Sequence, residues 1–132
     1  MFSKNSPNKT SSENKNNTNL SKTSKLEAGL YVTATPIGNL KDFTLRAIET
    51  LENVDIIACE DTRRSRKLLN FYNIKNRFLS YNDTNERKIF PKIISLLESG
   101  KSIALISDAG TPLINDPGYK LVSECIKRNI LV

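Results

Sequence analysis

Histidine is absent from this chain, and cysteine occurs only twice in its 132 residues. Without histidine, Ser-His-Asp chemistry is excluded and the commonest metal ligand is missing. Cys59 and Cys125 are too few and too far apart for a zinc site, so no metal is expected. They are also too few for a disulfide scaffold, and both read as buried reduced thiols of a cytoplasmic protein. Long apolar runs are missing as well. No stretch approaches the ~18 residues of a membrane span. No apolar run of roughly 7–15 residues follows the first lysines, as a signal peptide requires. Glycine is scarce, at five residues. Thr35-Pro-Ile-Gly38 follows a strand and precedes a helix, but it has one glycine where the dinucleotide fingerprint needs three. A Gly-Lys-Ser/Thr phosphate loop does not occur.

Residues 1–28 are dominated by Asn, Ser, Lys and Thr, with Phe2, Leu20 and Leu26 as the only large apolar side chains. Such a segment buries too little to offset chain entropy and is expected to be a disordered tail. The net charge of +6 divides evenly: five lysines against two glutamates give +3 before Gly29, and 15 basic against 12 acidic residues give +3 after it. A mildly basic domain with a basic tail suits a polyanionic partner, although the tail alone reads as a solubilising appendage.

From residue 29 to 132, strand and helix signals alternate. Leu30–Thr33, Val54–Ala58, Arg77–Ser80 and Lys101–Ile106 read as strands. Between them, Asp42 is placed to N-cap a helix with Leu45, Ile48 and Leu51 inward. A second helix spans Arg64–Tyr72 with Leu68, Leu69 and Tyr72 inward. A third runs from about Ile89 to Glu98, broken early by Pro91 and closed by Gly100. A fourth follows Gly118, with Leu121, Val122, Cys125 and Ile126 at helical spacing. Ile130–Val132 reads as the opening of a fifth strand. The pattern predicts an α/β protein: a three-layer, mostly parallel sheet flanked by helices.

Ser107-Asp-Ala-Gly-Thr-Pro-Leu-Ile-Asn-Asp-Pro-Gly118 lies between the fourth strand and the last helix. Ligands of open α/β sheets bind at the carboxyl ends of strands. Gly110 permits close backbone approach, Thr111 offers a hydroxyl, and Asp108 and Asp116 offer carboxylates. The same residues also make an ordinary turn, with Asp116-Pro-Gly118 opening a helix. Residues alone leave turn and binding loop evenly matched.

This loop resembles the signature of the tetrapyrrole methylase superfamily, S-adenosylmethionine-dependent methyltransferases with two α/β domains. Ala34-Thr-Pro-Ile-Gly-Asn-Leu40, Ala58-Cys-Glu-Asp-Thr-Arg63 and Ser80-Tyr-Asn82 with Asn85-Glu86 follow the first three strands. Together they resemble the branch that methylates a cytidine ribose 2′-hydroxyl in 16S rRNA. The resemblance implies the N-terminal half of that fold over residues 29–132, cut at the fifth strand, with the second domain absent. It implies S-adenosyl-L-methionine as cofactor, bound by Asp108, Ala109, Gly110, Thr111, Pro112 and Asp116. Pro36, Ile37, Gly38 and Asn39 face the substrate in this picture. The implied partner is 16S rRNA in the small ribosomal subunit, and the full-length enzyme is expected to be a homodimer. A non-catalytic gene fragment and a methylase of another substrate, such as a corrin precursor, are the competing expectations. The first loop, unlike a glycine-rich porphyrin-type loop, argues against the latter.

Glu60-Asp-Thr-Arg-Arg-Ser-Arg-Lys67 adds a physical argument. Cations at a helix start oppose the helix dipole at about 0.3–1 kcal/mol each when exposed. Backbone N–H groups with a guanidinium would instead suit a phosphate, so Arg63 is the expected substrate contact. Asp61 is a candidate proton acceptor, or equally a group that orients Arg63. Arg66 and Lys67 read as a solvated face.

Overall fold

The computed structural model describes residues 25–107 and 118–132. The disorder expected for residues 1–24 and the cofactor contacts expected of Asp108, Ala109, Gly110, Thr111, Pro112 and Asp116 lie outside the described residues. Among the described residues four strands, β1 (Gly29–Val32), β2 (Ile56–Cys59), β3 (Phe78–Ser80) and β4 (Ser102–Leu105), alternate with four helices. The helices are α1 (Leu45–Asn53), α2 (Thr62–Phe71), α3 (Glu86–Glu98) and α4 (Gly118–Lys127). All strand pairs are parallel, in the order β1-β4-β2-β3, with Ile103 of β4 opposite both Leu30 and Ile56.

Strand alternation divides the core into two layers. Ile103 and Leu105 pack with Ile93, Ile94, Leu97, Leu121 and Cys125 under α3 and α4. Ala104 and Ile106 pack with Ala47, Leu51, Leu69 and Ile74 under α1 and α2. β4 is buried along its whole length because it lies between both layers and between two strands. Cys59 and Cys125 are buried, in different layers. Burial pushes the Cys125 thiol up to about 11.

Helix ends differ from the sequence reading in instructive ways. Thr44, not Asp42, caps α1: its Oγ1 accepts from the Ala47 N–H at 3.0 Å. The Asp42 N–H is engaged in a turn with the Asn39 carbonyl. Leu45 then falls at the first helical position, and it is 81 % exposed rather than inward. α3 starts at Glu86 and runs through Pro91 without a break. Proline there removes one helical donor, that owed to the Arg87 carbonyl, on an exposed side of the helix. Burial of Ile93, Ile94 and Leu97 outweighs that loss.

Three helices end in the same motif. Asn73, Gly100 and Asn129 take positive φ of 57°, 98° and 57°. The next residues, Ile74, Lys101 and Ile130, donate back to Leu69, Leu96 and Cys125 across five residues. This satisfies the last carbonyls of each helix.

Leu26, assigned by composition to the tail, packs against the α1/α2 layer, and the Tyr31 hydroxyl donates to the Glu27 carbonyl. Residues 130–132 form no strand. Leu131 instead accepts one hydrogen bond from the Leu30 N–H at 2.8 Å. Gly29 makes that approach possible: a Cβ there would lie 2.8 Å from the Leu131 carbonyl oxygen. Gly29→Ala is therefore expected to destabilise the fold by about 1–3 kcal/mol, as overpacking does. Urea unfolding checks the stability, and faster exchange of the Leu30 amide checks the mechanism.

Candidate active site at the carboxyl edge of the sheet

Because every strand is parallel, the loops that follow them emerge at one edge. β4 sits between β1 and β2, whose following helices pack on the layer opposite α4. The carboxyl end of β4 is thus a point where connections part, the usual location of a ligand crevice. The Thr33 N–H donates to the Leu105 carbonyl, Ile106 to Ala58, and Tyr81 to Cys59, which locks the strand ends in register. The Thr35 Oγ1 donates to the Ser107 carbonyl at 3.3 Å, joining the first loop to the start of the signature loop.

Polar burial concentrates here. The described buried polar residues are Thr33, Thr35, Ser65, Ser102 and Ser107, and three of these five stand at the adjoining ends of β1 and β4. Neither strand end carries a charged side chain over 32–37 or 105–107. Neutral hydroxyls and backbone groups there suit a nucleoside-like ligand rich in hydroxyl groups rather than a bare phosphate. Thr35 heads the first loop, one residue before the Pro36–Asn39 stretch expected to face the substrate. Its signal was a hydroxyl residue two positions beyond an apolar strand that ends in Thr33.

Of the expected substrate residues, Pro36 is half-buried, while Ile37, Gly38 and Asn39 are exposed. Gly38 has φ +81°, with open space where a Cβ would go, so its backbone conformation is what requires glycine. Asn39 shapes the loop: its Oδ1 accepts from the Lys41 N–H. Ile37, 74 % exposed, presents an apolar side chain beside this edge.

Asp61 and Arg63 are brought together at the start of α2. Asp61 is the N-cap, its Oδ1 accepting from the Arg63 N–H at 2.9 Å and lying 3.5 Å from Arg63 Nε. The hydrogen bond from the Arg63 backbone N–H, reinforced by the Arg63 charge, holds the Asp61 carboxyl below its ordinary value. A carboxylate so stabilised is a weaker base and a good brace. The Arg63 side chain itself is 89 % exposed.

The β3 loop contributes a bracket of amides. Asn82 Nδ2 donates to the Glu60 carbonyl at 3.1 Å, and Asn85 Nδ2 to the Ser80 carbonyl at 3.0 Å. Asn82 and Asn85 also cap each other's backbone N–H groups through their Oδ1 atoms. Ser80 and the two asparagines thereby fix the backbone just before Asp61. Among the described residues, no group of three or more His, Cys, Asp or Glu side chains is arranged to hold a metal. Among them too, no helix is long and apolar enough to cross a membrane.

A parallel sheet with helices on both faces is consistent with the N-terminal half of a tetrapyrrole methylase fold. Residues 29–132 match the tetrapyrrole (corrin/porphyrin) methylases, and the chain belongs to that family. Among curated proteins it is 58 % identical over 107 residues to a "Ribosomal RNA small subunit methyltransferase I" of Mesorhizobium japonicum, covering 81 % of this chain and 36 % of that protein. Proteins of the same name in Thermotoga maritima and Rickettsia prowazekii are 52 % and 54 % identical over 103 and 107 residues. These alignments cover 78 % and 81 % of this chain, and 46 % and 38 % of those proteins. The chain therefore spans less than half the length of these relatives.

Proposed function

We propose that this chain carries the signature-loop half of an S-adenosylmethionine-dependent methyltransferase whose target is a cytidine ribose 2′-hydroxyl in 16S rRNA. The observation that carries this reading is the single edge on which the first loop, Asp61–Arg63 and the end of β4 meet, in a chain 52–58 % identical to relatives named for rRNA methylation. The uncharged hydroxyl-lined ends of β1 and β4 fit the nucleoside part of that cofactor. When bound, the cofactor supplies a methyl group already activated by its sulfonium. The protein's share is then alignment of the attacking oxygen with the methyl carbon and the sulfur, and the proton released from the 2′-hydroxyl passes to water.

In this reading Thr33, Thr35 and Ser107 face the uncharged nucleoside part of the cofactor at the end of β4. The first loop, Pro36–Asn39, orients the ribose. Arg63 holds an RNA phosphate, and Asp61, engaged as the α2 N-cap with the Arg63 N–H and 3.5 Å from Arg63 Nε, braces Arg63. The amide bracket of Asn82 and Asn85 keeps Asp61 at the helix start.

The chain alone is expected to bind S-adenosylmethionine weakly by calorimetry, since it spans less than half the length of its relatives and carries one of the two α/β domains that the resemblance implies. Joined to the remaining part of the Thermotoga maritima relative, it is expected to bind cofactor and methylate small ribosomal subunits that lack the modification. In that chimera Arg63→Ala should reduce RNA methylation more than cofactor affinity. It should also lower the salt dependence of RNA binding by about one unit of slope. Equal losses in both affinities would return Arg63 to a structural role. A chimera that binds no cofactor would overturn the methyltransferase reading.

A further inference from the structure

From Thr62 to Asn82 the chain holds six basic residues, Arg63, Arg64, Arg66, Lys67, Lys75 and Arg77, and no acidic one. All six are exposed. This stretch builds α2, the turn after it and β3, and β3 is the edge strand of the sheet. Half of the chain's entire net charge could be accounted for by any three of these side chains, and they share one flank of a small domain. A cationic edge strand can serve only to prevent strand pairing, but that needs one or two charges.

An exposed aromatic ring belongs to the same surface. Phe71 is 61 % exposed at the end of α2. It follows Arg63 and Lys67 at successive intervals of four, so the three lie along one stripe of the helix. Eight residues at 1.5 Å each separate the ends of that stripe by about 12 Å. The ring is not loose: Tyr72 packs edge-on against it, with centroids 5.1 Å apart at 72°. Tyr72 in turn packs edge-on against buried Phe43, and its hydroxyl donates to the Leu40 carbonyl. Arg66 lies 5.4 Å over the Phe78 ring, which ties the helix to the edge strand.

We propose that the α2–β3 flank docks a single-stranded segment of RNA, with Phe71 as the platform on which one unpaired base stacks and Arg63 and Lys67 following the phosphates. This rests on the rRNA reading above and extends it to a surface running away from the carboxyl edge. Exposed aromatic faces among cations are what single strands require, since every base has a stacking face and every linkage a charge. A protein partner of ordinary composition would find a mainly positive surface there, with Asp61 beside Arg63, whereas a polyanion finds complementarity. Unpaired RNA is favoured over duplex because a duplex offers no free base to the ring.

The test uses the 132-residue chain and a fluorescent single-stranded RNA of about 12 nucleotides, followed by anisotropy over a salt series. Phe71→Ala is expected to weaken binding roughly 5- to 150-fold with an unchanged salt slope, the range for one base stacked on an aromatic ring. Phe71→Tyr should bind as the parent does. Lys67→Ala should lower the slope by about 0.7, as loss of one phosphate contact on a single strand does. Because Phe71 is exposed, circular dichroism should show both variants folded; Phe71→Leu, similar in bulk but without the ring face, serves if the alanine variant is not. Phe71→Ala or Phe71→Leu binding RNA as the parent does would overturn the proposal, as would equal affinity for a duplex of the same length. So would a Phe71 variant that changes only the sedimentation behaviour, since the ring would then cover a protein partner. None of these outcomes bears on cofactor binding by the chimera, so the methyltransferase reading stands or falls separately.

Discussion

Ile103→Ala is expected to destabilise the domain by about 2–5 kcal/mol, the range for truncating a well-packed aliphatic side chain. Ile103 is wholly buried in β4, the strand that pairs on both sides. It lies opposite Leu30 and Ile56 and belongs to the layer beneath α3 and α4. Neighbours held by two ladders cannot collapse into the void, which places the cost toward the upper part of that range. Against a typical total of about 5–15 kcal/mol, such a loss moves the urea midpoint far to the left. Ile126→Ala is the control. Ile126 is 62 % exposed, so its removal should change stability by no more than about 0.5 kcal/mol. Equal shifts for the two variants would mean that β4 is not the central strand.

Asp55→Ala is expected to cost about 1–3 kcal/mol and to change how stability depends on pH. The Asp55 Oδ2 accepts from the Ser102 N–H at 2.8 Å and from the Ser102 hydroxyl at 3.2 Å. The Asp55 N–H donates back to the Ser102 carbonyl and side-chain oxygen. This pair clamps the starts of β2 and β4, and Ser102 is wholly buried, so alanine would strand two of its donors. The hydrogen bond from the Ser102 backbone N–H is the main reason the Asp55 carboxyl titrates below its ordinary value, helped by its hydroxyl and by Lys25 and Lys101.

A carboxylate with a lowered folded pKa contributes stability that is fully present above its unfolded value, about 3.9. That contribution fades as pH falls through 3.9 toward the folded value, and is gone below it. The parent should therefore lose stability relative to Asp55→Ala as pH drops from about 5 to below 3.9. Asp55→Asn keeps an acceptor without a charge, and should retain part of the stability with none of this pH dependence. Parallel pH profiles for the parent and both variants would show that the clamp carries no titrating component.

Much of this protein was legible in its residues. The alternation of β-branched runs with 3.6-residue periodicity determined the four strands, the four helices and the α/β class, because those periods reflect local backbone geometry. The Asp61 position could also have been read as a helix cap, since Asp followed by a polar helix start is itself a capping signal. Its proximity to Arg63 was legible for the same reason, two residues being inseparable in space.

Local signals misplaced the first turn of α1 and the start of α3. Asp42 and Thr44 are both good caps in isolation, and the choice fell to Thr44 once the Asp42 N–H was taken by the Asn39 turn. Pro91 reads as a breaker until the burial of Ile93, Ile94 and Leu97 is set against one missing hydrogen bond. Asn73 and Asn129 gave no obvious stop signal, yet both adopt the left-handed conformation that their short amide side chains tolerate.

Only the tertiary structure decided the strand order. Pairing β4 between β1 and β2 joins residues some 47 to 73 positions apart, such as Asp55 with Ser102 and Leu30 with Ile103. No local periodicity encodes such a partner; it follows from burying both faces of Ile103–Ile106 at once. That single choice brings Thr35 to Ser107 and sets Asp61 and Arg63 at the same edge. It also leaves β3 outermost, with the cationic flank of α2 facing solvent beside it.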